Sequence, residues 1–193
     1  LAKKKERLTQ GFFLVEGDRA VSQIMCAAPD MVTEIIRTES RKEPLRGGSG
    51  IPVRVLTDKQ YKSISQVFSP QGTAAVVKIP GKTYSAHPFS TDRGNILLLE
   101  DVQDPGNVGT LIRTAAAFDF SGVVLSDKCA DMFSGKTVQA AAGTIVSLEL
   151  RRTGAYLGFT ENLKEQGYEV VSMDLKGKPF RHAELSGNKT VIC

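Results

Sequence analysis

The stretch from Asn95 to Phe120 constrains the fold more than any other part of the chain. It opens with the unbroken apolar run Ile96–Leu99, which is typical of a strand buried on both faces of a parallel sheet. Residues 104–107, Asp-Pro-Gly-Asn, then break the strand pattern as a turn. Apolar residues return at helical spacing at Val108, Leu111, Ile112, Ala115 and Phe118. The stretch therefore predicts a strand, a loop and a helix of an open α/β sheet.

The loop at residues 101–109 is the first place to expect chemistry, because ligands of such sheets bind just past the carboxyl ends of the strands. Asn107 opens the predicted helix, where its amide can cap backbone N–H groups or face a ligand. Arg113 lies within the helix, with the small residues Gly109 and Ala117 one turn away. We expect them to leave room beside the guanidinium for a phosphate or a developing oxyanion. Spacing alone equally allows a plain capping asparagine and a solvent-exposed arginine.

Charge is unevenly distributed along the chain. The net charge is +4, but residues 1–82 carry 14 Lys and Arg against 8 Asp and Glu, whereas residues 83–193 carry 11 against 13. A basic half joined to a slightly acidic half indicates that one module binds a polyanion and that the other carries the activity of the protein. The basic cluster at the start of the chain consists of Lys3, Lys4, Lys5 and Arg7. It can contact RNA phosphates or form an ordinary solvated helix end.

Composition argues against several classes of protein. Three widely spaced cysteines without a Cys-x-x-Cys pair do not suit a disulfide framework or a zinc site, and they fit a reducing cytoplasm. Two histidines cannot build a histidine-rich metal centre, so we expect no metal. No apolar run approaches the ~20 residues of a membrane-spanning helix, so we expect no membrane association. The sequence also lacks dinucleotide-binding and Walker fingerprints.

Short strands and helices alternate in both halves of the chain, which is typical of α/β domains. The first domain, residues 1–80, is predicted to be a small α/β sandwich with strands at 12–15, 32–37, 53–56 and 73–79 and helices at 1–10, 20–28 and 58–67. Residues 81–94 are rich in proline and glycine and are predicted to be a linker. The second domain, residues 95–193, is predicted to be a parallel wound sheet with further strands at 122–126, 145–150, 168–174 and 190–193 and helices at 135–143 and 158–166.

Four segments resemble the SpoU, or TrmH-like, branch of the SPOUT RNA methyltransferases. DPGNVGTLIRTAAAF resembles the first signature of that family, and FSGKTVQAAAGTIVSLEL parallels the segment after its second strand. FFLVEGDRAV and SPQGTAAVV resemble the substrate-binding domain that precedes the catalytic domain in many members. The chain departs from the family at Asp119, where glycine is usual, and it lacks the Gly-x-Glu and Ser-Leu-Asn signatures.

The resemblance implies transfer of a methyl group from S-adenosylmethionine to a ribose 2′-hydroxyl of rRNA or tRNA. It assigns catalysis to Asn107 and Arg113. It also places Met173 and Asp174 at the rim of the cofactor pocket, although Met173 can equally be a core residue. Glu16 and Arg19 are expected to face RNA, although Glu16-Gly17 can equally be a simple strand-to-helix turn. The further residues expected to contact RNA are Lys3, Lys4 and Lys5.

The resemblance further implies a homodimer formed through the catalytic domain and a C-terminal knot that holds the cofactor. Because the chain stops at Cys193, where that region should start, we expect the knot to be absent or cut short in this chain. Two alternatives to the enzyme are a non-catalytic RNA-binding protein of the same architecture and a small-molecule nucleotide-binding α/β protein. The presence of both Asn107 and Arg113 argues against the first alternative, and the basic half of the chain argues against the second.

Overall fold

The computed structural model describes residues 1–41, 50–85, 89, 94–177 and 189–192 of the chain. Part of the predicted linker, residues 86–88 and 90–93, lies outside the described residues, as does Cys193. The chain forms two compact units. The first unit comprises Leu1–Pro80, Asp104–Arg113 and Asp131–Ser147, and the second comprises Gly81–Gln103, Thr114–Ala130 and Leu148–Cys193. Two stretches of the predicted second domain therefore belong to the first unit.

The first unit contains a four-stranded mixed sheet. Its strands are β1 (Phe12–Glu16), β2 (Val32–Thr38), β3 (Val53–Leu56) and β4 (Thr73–Lys78), in the order β1-β4-β2-β3. β4 pairs antiparallel with β1 and β2, and β3 pairs parallel with β2. The helices of residues 1–80 are α1 (Lys4–Gln10), α2 (Asp18–Ala27) and α3 (Asp58–Ile64). All four strands predicted for this part of the chain are present.

Side chains set both ends of α3. At its start, the Thr57 hydroxyl accepts a hydrogen bond from the Gln60 amide at 3.3 Å, and the Gln60 side chain accepts one from the Thr57 amide at 2.9 Å. The prediction that this helix continues to Val67 is wrong. The Glu16 carboxylate accepts hydrogen bonds from the Ser65 hydroxyl at 2.6 Å and from the following backbone amide at 2.7 Å. These bonds hold the chain extended beyond Ile64, so the helix ends there.

The second unit contains a five-stranded sheet whose described strands all run parallel. They are β5 (Ile96–Leu99), β6 (Gly122–Leu125), β7 (Glu149–Arg152), β8 (Glu169–Val171) and β9 (Thr190–Ile192), in the order β7-β6-β5-β9-β8. β5 lies at the centre of the sheet, and β6 is buried along its whole length. Strands covered on both faces require continuous apolar sequence, which both of these strands have. The predicted fold class is confirmed.

One apolar cluster forms the core of the second unit, and α6 (Tyr156–Glu165) supplies part of it. Phe159 and Leu163 of α6 are four residues apart and so point to the same face of the helix. Burial of each such side chain contributes about 1.5–3 kcal/mol relative to leaving it in water. The other buried members of the cluster are Phe89, Ile96, Leu98, Val124, Tyr168 and Val191.

The prediction of a strand at residues 145–150 is wrong in its first half. A 3₁₀ helix, Thr144–Val146, comes first, and β7 begins only at Glu149, where it pairs with Gly122 of β6. Ala142 and Gly143 have positive φ angles of 51° and 86°, so the chain turns sharply before this helix. The apolar pair Ile145 and Val146, of which only Ile145 is buried, has no periodicity that would separate this short helical turn from a strand.

A buried ion pair fastens α1 to the segment 131–147 within the first unit. Arg7 of α1 pairs with Asp131, and the two side chains are only 5% and 15% exposed. The same guanidinium donates to the carbonyls of the first two residues, each at 2.7 Å. Phe13 of β1 also packs on Phe133, with ring centroids 4.7 Å apart. Arg7 is therefore part of the fold, and it is not an exposed member of the basic cluster.

We predict that Asp131→Ala destabilises the protein strongly, because it leaves the buried Arg7 guanidinium without its counterion. Loss of one partner of a buried ion pair costs about 3–5 kcal/mol. The matched control is Glu34→Ala, which breaks the more exposed pair with Arg54 and should cost less than about 1 kcal/mol. Urea unfolding compares the two variants. A small and equal loss in both would contradict the role of the buried pair.

Candidate active site

α4 (Pro105–Ala117) follows β5, and the residue that caps it is Asp104. The Asp104 carboxylate accepts a hydrogen bond from the Asn107 backbone amide at 2.8 Å, and its carbonyl accepts one from the Val108 amide at 3.0 Å. Pro105 suits the first helical position because it lacks an N–H that would be unpaired there. The prediction that Asn107 opens the helix is therefore wrong, since Asp104 has the capping role.

Capping by Asp104 leaves the Asn107 side chain available to a ligand. Asn107 is exposed, and its side-chain amide makes no hydrogen bond with the residues that the structure describes. The Asp104 carboxylate also pairs with the Lys136 ammonium at 3.1 Å. The Asn107 backbone amide first, and Lys136 second, hold the pKa of Asp104 below its usual range. The cap is therefore an ionised carboxylate at neutral pH.

Arg113 lies in the third turn of α4, and it is exposed. Its guanidinium makes no hydrogen bond or ion pair within the described part of the chain, so its charge is available to an anion. Arg113 and Asn107 are six residues apart, which on an α-helix is ~9 Å along the axis and about 120° around it. The helix therefore presents the two side chains on adjoining faces of one rigid element.

The space beside Gly109 is filled by α5 (Gly135–Ala141). A Cβ added at Gly109 would lie 2.3 Å from the Thr137 carbonyl oxygen and 2.6 Å from the Cβ of Ala140. The two helices thus approach more closely than any side chain would allow. The prediction that Gly109 leaves room for a ligand of Arg113 is wrong, because this glycine serves helix packing. Ala117, on the other side of Arg113, is exposed as expected.

Two neighbouring strands of the second unit end in a polar cluster that the sequence analysis does not predict. The Ser126 hydroxyl, just after β6, donates to the Asp101 carboxylate at 2.7 Å and accepts from the Asp101 amide at 2.9 Å. The Lys128 ammonium lies 3.3 Å from the same carboxylate. The Ser126 hydroxyl, and less strongly Lys128, lowers the pKa of Asp101. The contact between Asp101 and Ser126 could have been predicted from the strand order, because adjacent parallel strands bring together the residues that follow them.

Further contacts order the same edge of the sheet. The Tyr156 hydroxyl of α6 donates to the Glu100 carboxylate, and this hydrogen bond raises the pKa of Tyr156. The buried Arg152, at the end of β7, donates to the backbone carbonyls of Asp127, Cys129 and Ala130. It thereby fixes the loop after β6. The edge presents the carboxylates of Glu100 and Asp101, which favour a cationic ligand.

Met173 and Asp174 follow β8, and both are exposed. Met173 is 79% exposed, so the alternative that it is a core residue is wrong. One oxygen of the Asp174 carboxylate accepts a hydrogen bond from the Lys176 amide at 2.7 Å, which forms a tight turn. Both residues are thus free to border a ligand at the carboxyl end of their strand. Their contact with a cofactor stays a prediction.

The residues predicted to face RNA differ in their solvent exposure and in whether their side chains are already engaged in hydrogen bonds. The carboxylate of Glu16 is held by the hydrogen bonds that end α3, although the residue is only half-buried. Gly17, with a φ of 99°, joins β1 directly to α2, so the Glu16-Gly17 pair is a strand-to-helix turn. The members with fully exposed side chains are Lys3, Lys4, Lys5 and Arg19.

Among the described residues, no cluster of three or more His, Cys, Asp or Glu is placed to hold a metal ion. The helices of the same residues are too short or too polar to cross a bilayer. Cys129 is buried, and its thiol donates to the Leu99 carbonyl at 3.1 Å, whereas Cys26 is exposed.

Comparison with known proteins shows the family. Residues 94–193 match the family model described as SpoU rRNA Methylase family, and residues 1–75 match the one described as MRM3-like substrate binding domain. The fold and the site therefore define an RNA methylase with its own substrate-binding part. The chain belongs to the SpoU rRNA methylase family.

Individual relatives extend the match along nearly the whole chain. The Bacillus subtilis 23S rRNA (guanosine(2553)-2′-O)-methyltransferase RlmP is 33% identical over 190 residues, covering 98% of this chain and 73% of that enzyme. Human mitochondrial rRNA methyltransferase 3 is 30% identical over 142 residues, covering 71% of this chain and 34% of the human protein. A TrmH-family structure from Porphyromonas gingivalis superposes with a TM-score of 0.83 at 28% identity, covering all of this chain and 75% of that one.

A second solved structure supports the fold alone. The SpoU methyltransferase AviRb from Streptomyces viridochromogenes, in complex with AdoMet, superposes with a TM-score of 0.78 at 22% identity, covering all of this chain and 76% of that one. The predicted family and fold class are confirmed by these comparisons. The prediction of an RNA methyltransferase, rather than a non-catalytic RNA-binding protein, is confirmed at the level of the family.

The contact between Gly109 and α5 can be tested with one methyl group. We predict that Gly109→Ala forces α4 away from α5, and overpacking of this kind costs about 1–3 kcal/mol. The matched control is Gly158→Ala in α6, where an added Cβ meets nothing within 4 Å. That exchange should be neutral or stabilise by up to about 1 kcal/mol. Thermal unfolding measures both variants, and wild-type stability in Gly109→Ala would refute the close approach.

Proposed function

We propose that the protein transfers a methyl group from S-adenosylmethionine to a ribose 2′-hydroxyl of ribosomal RNA. The observation that carries this proposal is the family match over residues 94–193. The match contains, on the helix after the central strand, an exposed Asn107 and an exposed Arg113 that has no ion-pair partner among the described residues. A relative that matches 98% of the chain is named as a 23S rRNA 2′-O-methyltransferase. Because the chain spans 73% of that relative, the experiments below use the full-length protein.

The residues present at the carboxyl edge of the parallel sheet fit a cationic cofactor. Asp174 uses one carboxylate oxygen in its turn, which leaves the other oxygen to accept from an ammonium group. Glu100 and Asp101 add negative charge at the same edge, and the exposed Met173 offers an apolar thioether surface. Bound S-adenosylmethionine supplies an electrophilic methyl group. Met173 and Asp174 would hold it at the rim of its pocket.

Methyl transfer forms a bond between the ribose oxygen and the methyl carbon while the sulfur–methyl bond breaks, so that S-adenosylhomocysteine is released and the hydroxyl proton passes to solvent water. Arg113 is not a ready base for that proton, because a guanidinium keeps its own proton up to a pH above ~12. We therefore assign Arg113 to the phosphate beside the target ribose and to the developing alkoxide. Asn107 orients the ribose or the arginine. Positioning of the hydroxyl in line with the methyl group supplies much of the remaining rate effect.

Substrate RNA binding is assigned to residues 1–80 and in particular to Lys3, Lys4, Lys5 and Arg19. Their exposure and the basic balance of residues 1–82 support this assignment. Glu16 contributes indirectly, since its carboxylate shapes the chain after α3.

The proposal also covers the oligomeric state of the enzyme, the place where it holds its cofactor and its location in the cell. We propose a homodimer formed through the catalytic domain, as the family resemblance implies, with the cofactor held at a C-terminal knot in the full-length protein. We also propose a cytoplasmic location, which the widely spaced cysteines support.

We predict that Arg113→Ala in the full-length protein lowers kcat for methyl transfer about 100-fold or more, the usual effect of removing a charge-stabilising donor. Stability should change by less than about 0.5 kcal/mol, because the side chain is exposed. The matched control is Arg54→Ala, which removes an exposed arginine of β3 and should leave kcat unchanged. Steady-state assays with labelled S-adenosylmethionine and saturating RNA measure kcat. Near-normal turnover by Arg113→Ala would overturn the assigned role.

A further inference from the structure

A loop of the first unit separates two grooves, and the proposed reaction does not use it. The loop is residues 67–72, Val-Phe-Ser-Pro-Gln-Gly, between α3 and β4. Val67, Ser69 and Gln71 line a groove of about 200 Å³, which we call the amide groove. Phe68 and Pro70 line a groove of about 370 Å³, which we call the aromatic groove. Gln71 lines the aromatic groove as well, and Gly72 lines only the aromatic groove, so the loop forms a wall that the two grooves share.

The amide groove holds polar side chains that are free to bind a ligand. α2 contributes Arg19 and Gln23, and α5 contributes Gln139. None of these three side chains makes a hydrogen bond or ion pair with the part of the chain that the structure describes. A glutamine amide offers both donors and acceptors in one plane, which is the pattern that hydrogen-bonds the edge of a nucleobase. The chemistry of this groove therefore suits an unpaired base better than a bare phosphate.

The aromatic groove presents an open ring. The side chain of Phe68 is fully exposed, at 104% of its reference area. Lys62 lies in the same groove, and its ammonium is unpaired among the described residues. The other charges are already engaged: Asp58 accepts from the Ser40 hydroxyl at 2.7 Å, and Arg41 pairs with a carboxylate of α2 at 2.5 Å. An exposed ring beside one free cation is the arrangement that stacks a nucleobase and contacts its phosphate.

Contacts with the rest of the first unit hold the loop at its C-terminal end, three to four residues after Phe68. The Arg41 side chain donates to the Gln71 carbonyl at 2.7 Å. The Gln71 side chain accepts from the Asp18 amide at 3.2 Å. Gly72 has a φ of 75°, and an added Cβ there would lie 2.5 Å from the Thr38 hydroxyl oxygen. The loop is therefore anchored to the sheet at its end, and the ring it presents is part of a built surface.

We propose that the 67–72 loop binds an unpaired segment of the RNA substrate, with one base stacked on Phe68 and a neighbouring nucleotide in the amide groove between Gln23 and Gln139. The proposal rests on the proposed function only in taking RNA as the substrate. A-form duplexes keep their base faces stacked and their major-groove edges out of reach, so this surface selects single-stranded or splayed-out bases. Base stacking and amide contacts depend little on salt, unlike the contacts of the lysine cluster at residues 3–5.

Residues 1–193 contain no tryptophan, so the fluorescence that one introduced tryptophan adds relative to the unsubstituted protein reports on this surface. In Phe68→Trp, binding of a single-stranded RNA of roughly ten nucleotides should quench the fluorescence by stacking, and a blunt duplex of the same sequence should not. The matched control is Val53→Trp at the start of β3, an exposed apolar residue that lines neither groove, and its fluorescence should not be quenched. Absence of quenching in Phe68→Trp, equal quenching by the duplex, or equal quenching in both variants would overturn the proposal.

A second measurement separates stacking from charge. Phe68→Ala should weaken binding of the single strand about tenfold, while the dependence of affinity on salt stays that of wild type. Combined replacement of Lys3, Lys4 and Lys5 with alanine should instead make the salt dependence shallower. Wild-type affinity in Phe68→Ala would refute the stacking site. Neither experiment contains S-adenosylmethionine, so a failed methyl transfer assay and a failed RNA-stacking assay are distinguishable.

Discussion

α4 is held against α5 by a contact that only a glycine permits. The Cα of Gly109 faces the backbone of Thr137, and the Asp104 carboxylate closes the start of the same helix. Both contacts lie within the first unit, to which the first part of α4 belongs. The side chains of Asn107 and Arg113 make no hydrogen bond or ion pair with the described residues, so their positions follow mainly from the placement of the helix backbone. The proposed chemistry therefore depends on backbone packing more than on a network of side chains.

The helices and strands that are predicted well from the sequence are those whose structure is determined by residues close together in the chain. The runs in β5 and β6 are continuous because both faces are buried, and this leaves a signal that needs no knowledge of the partners. The end of α3 was predicted too late because the carboxylate that ends it, Glu16, lies about fifty residues earlier in the chain. The start of β7 was predicted too early because Ala142 adopts a positive φ that no residue pattern announces.

In the candidate site, too, features that depend on neighbouring residues can be predicted from the sequence, and features that depend on strand order cannot. Asp104 and Asn107 are both good helix caps, and only Pro105, which prefers the first helical position, decides between them. The pairing of Asp101 with Ser126 is invisible in sequence because it depends on strand order. Asp119 has a φ of 57°, a conformation in which glycine is the least strained residue and aspartate is tolerated. The departure from the family at this position therefore has a conformational reason and does not affect Asn107 or Arg113.

The proposed mechanism separates RNA binding from the chemistry of methyl transfer. We propose that the exposed lysines and the surface around the 67–72 loop hold the RNA. The Arg113 guanidinium of α4, which has no partner among the described residues, is proposed to meet the ribose and its phosphate. The central claim is that the accepting atom is a ribose oxygen. The most direct test is mass spectrometry of nucleosides from ribosomal RNA treated with the full-length protein and isotopically labelled S-adenosylmethionine. We expect the label in a 2′-O-methylated nucleoside. A label found on a base would show that the ribose oxygen is not the acceptor.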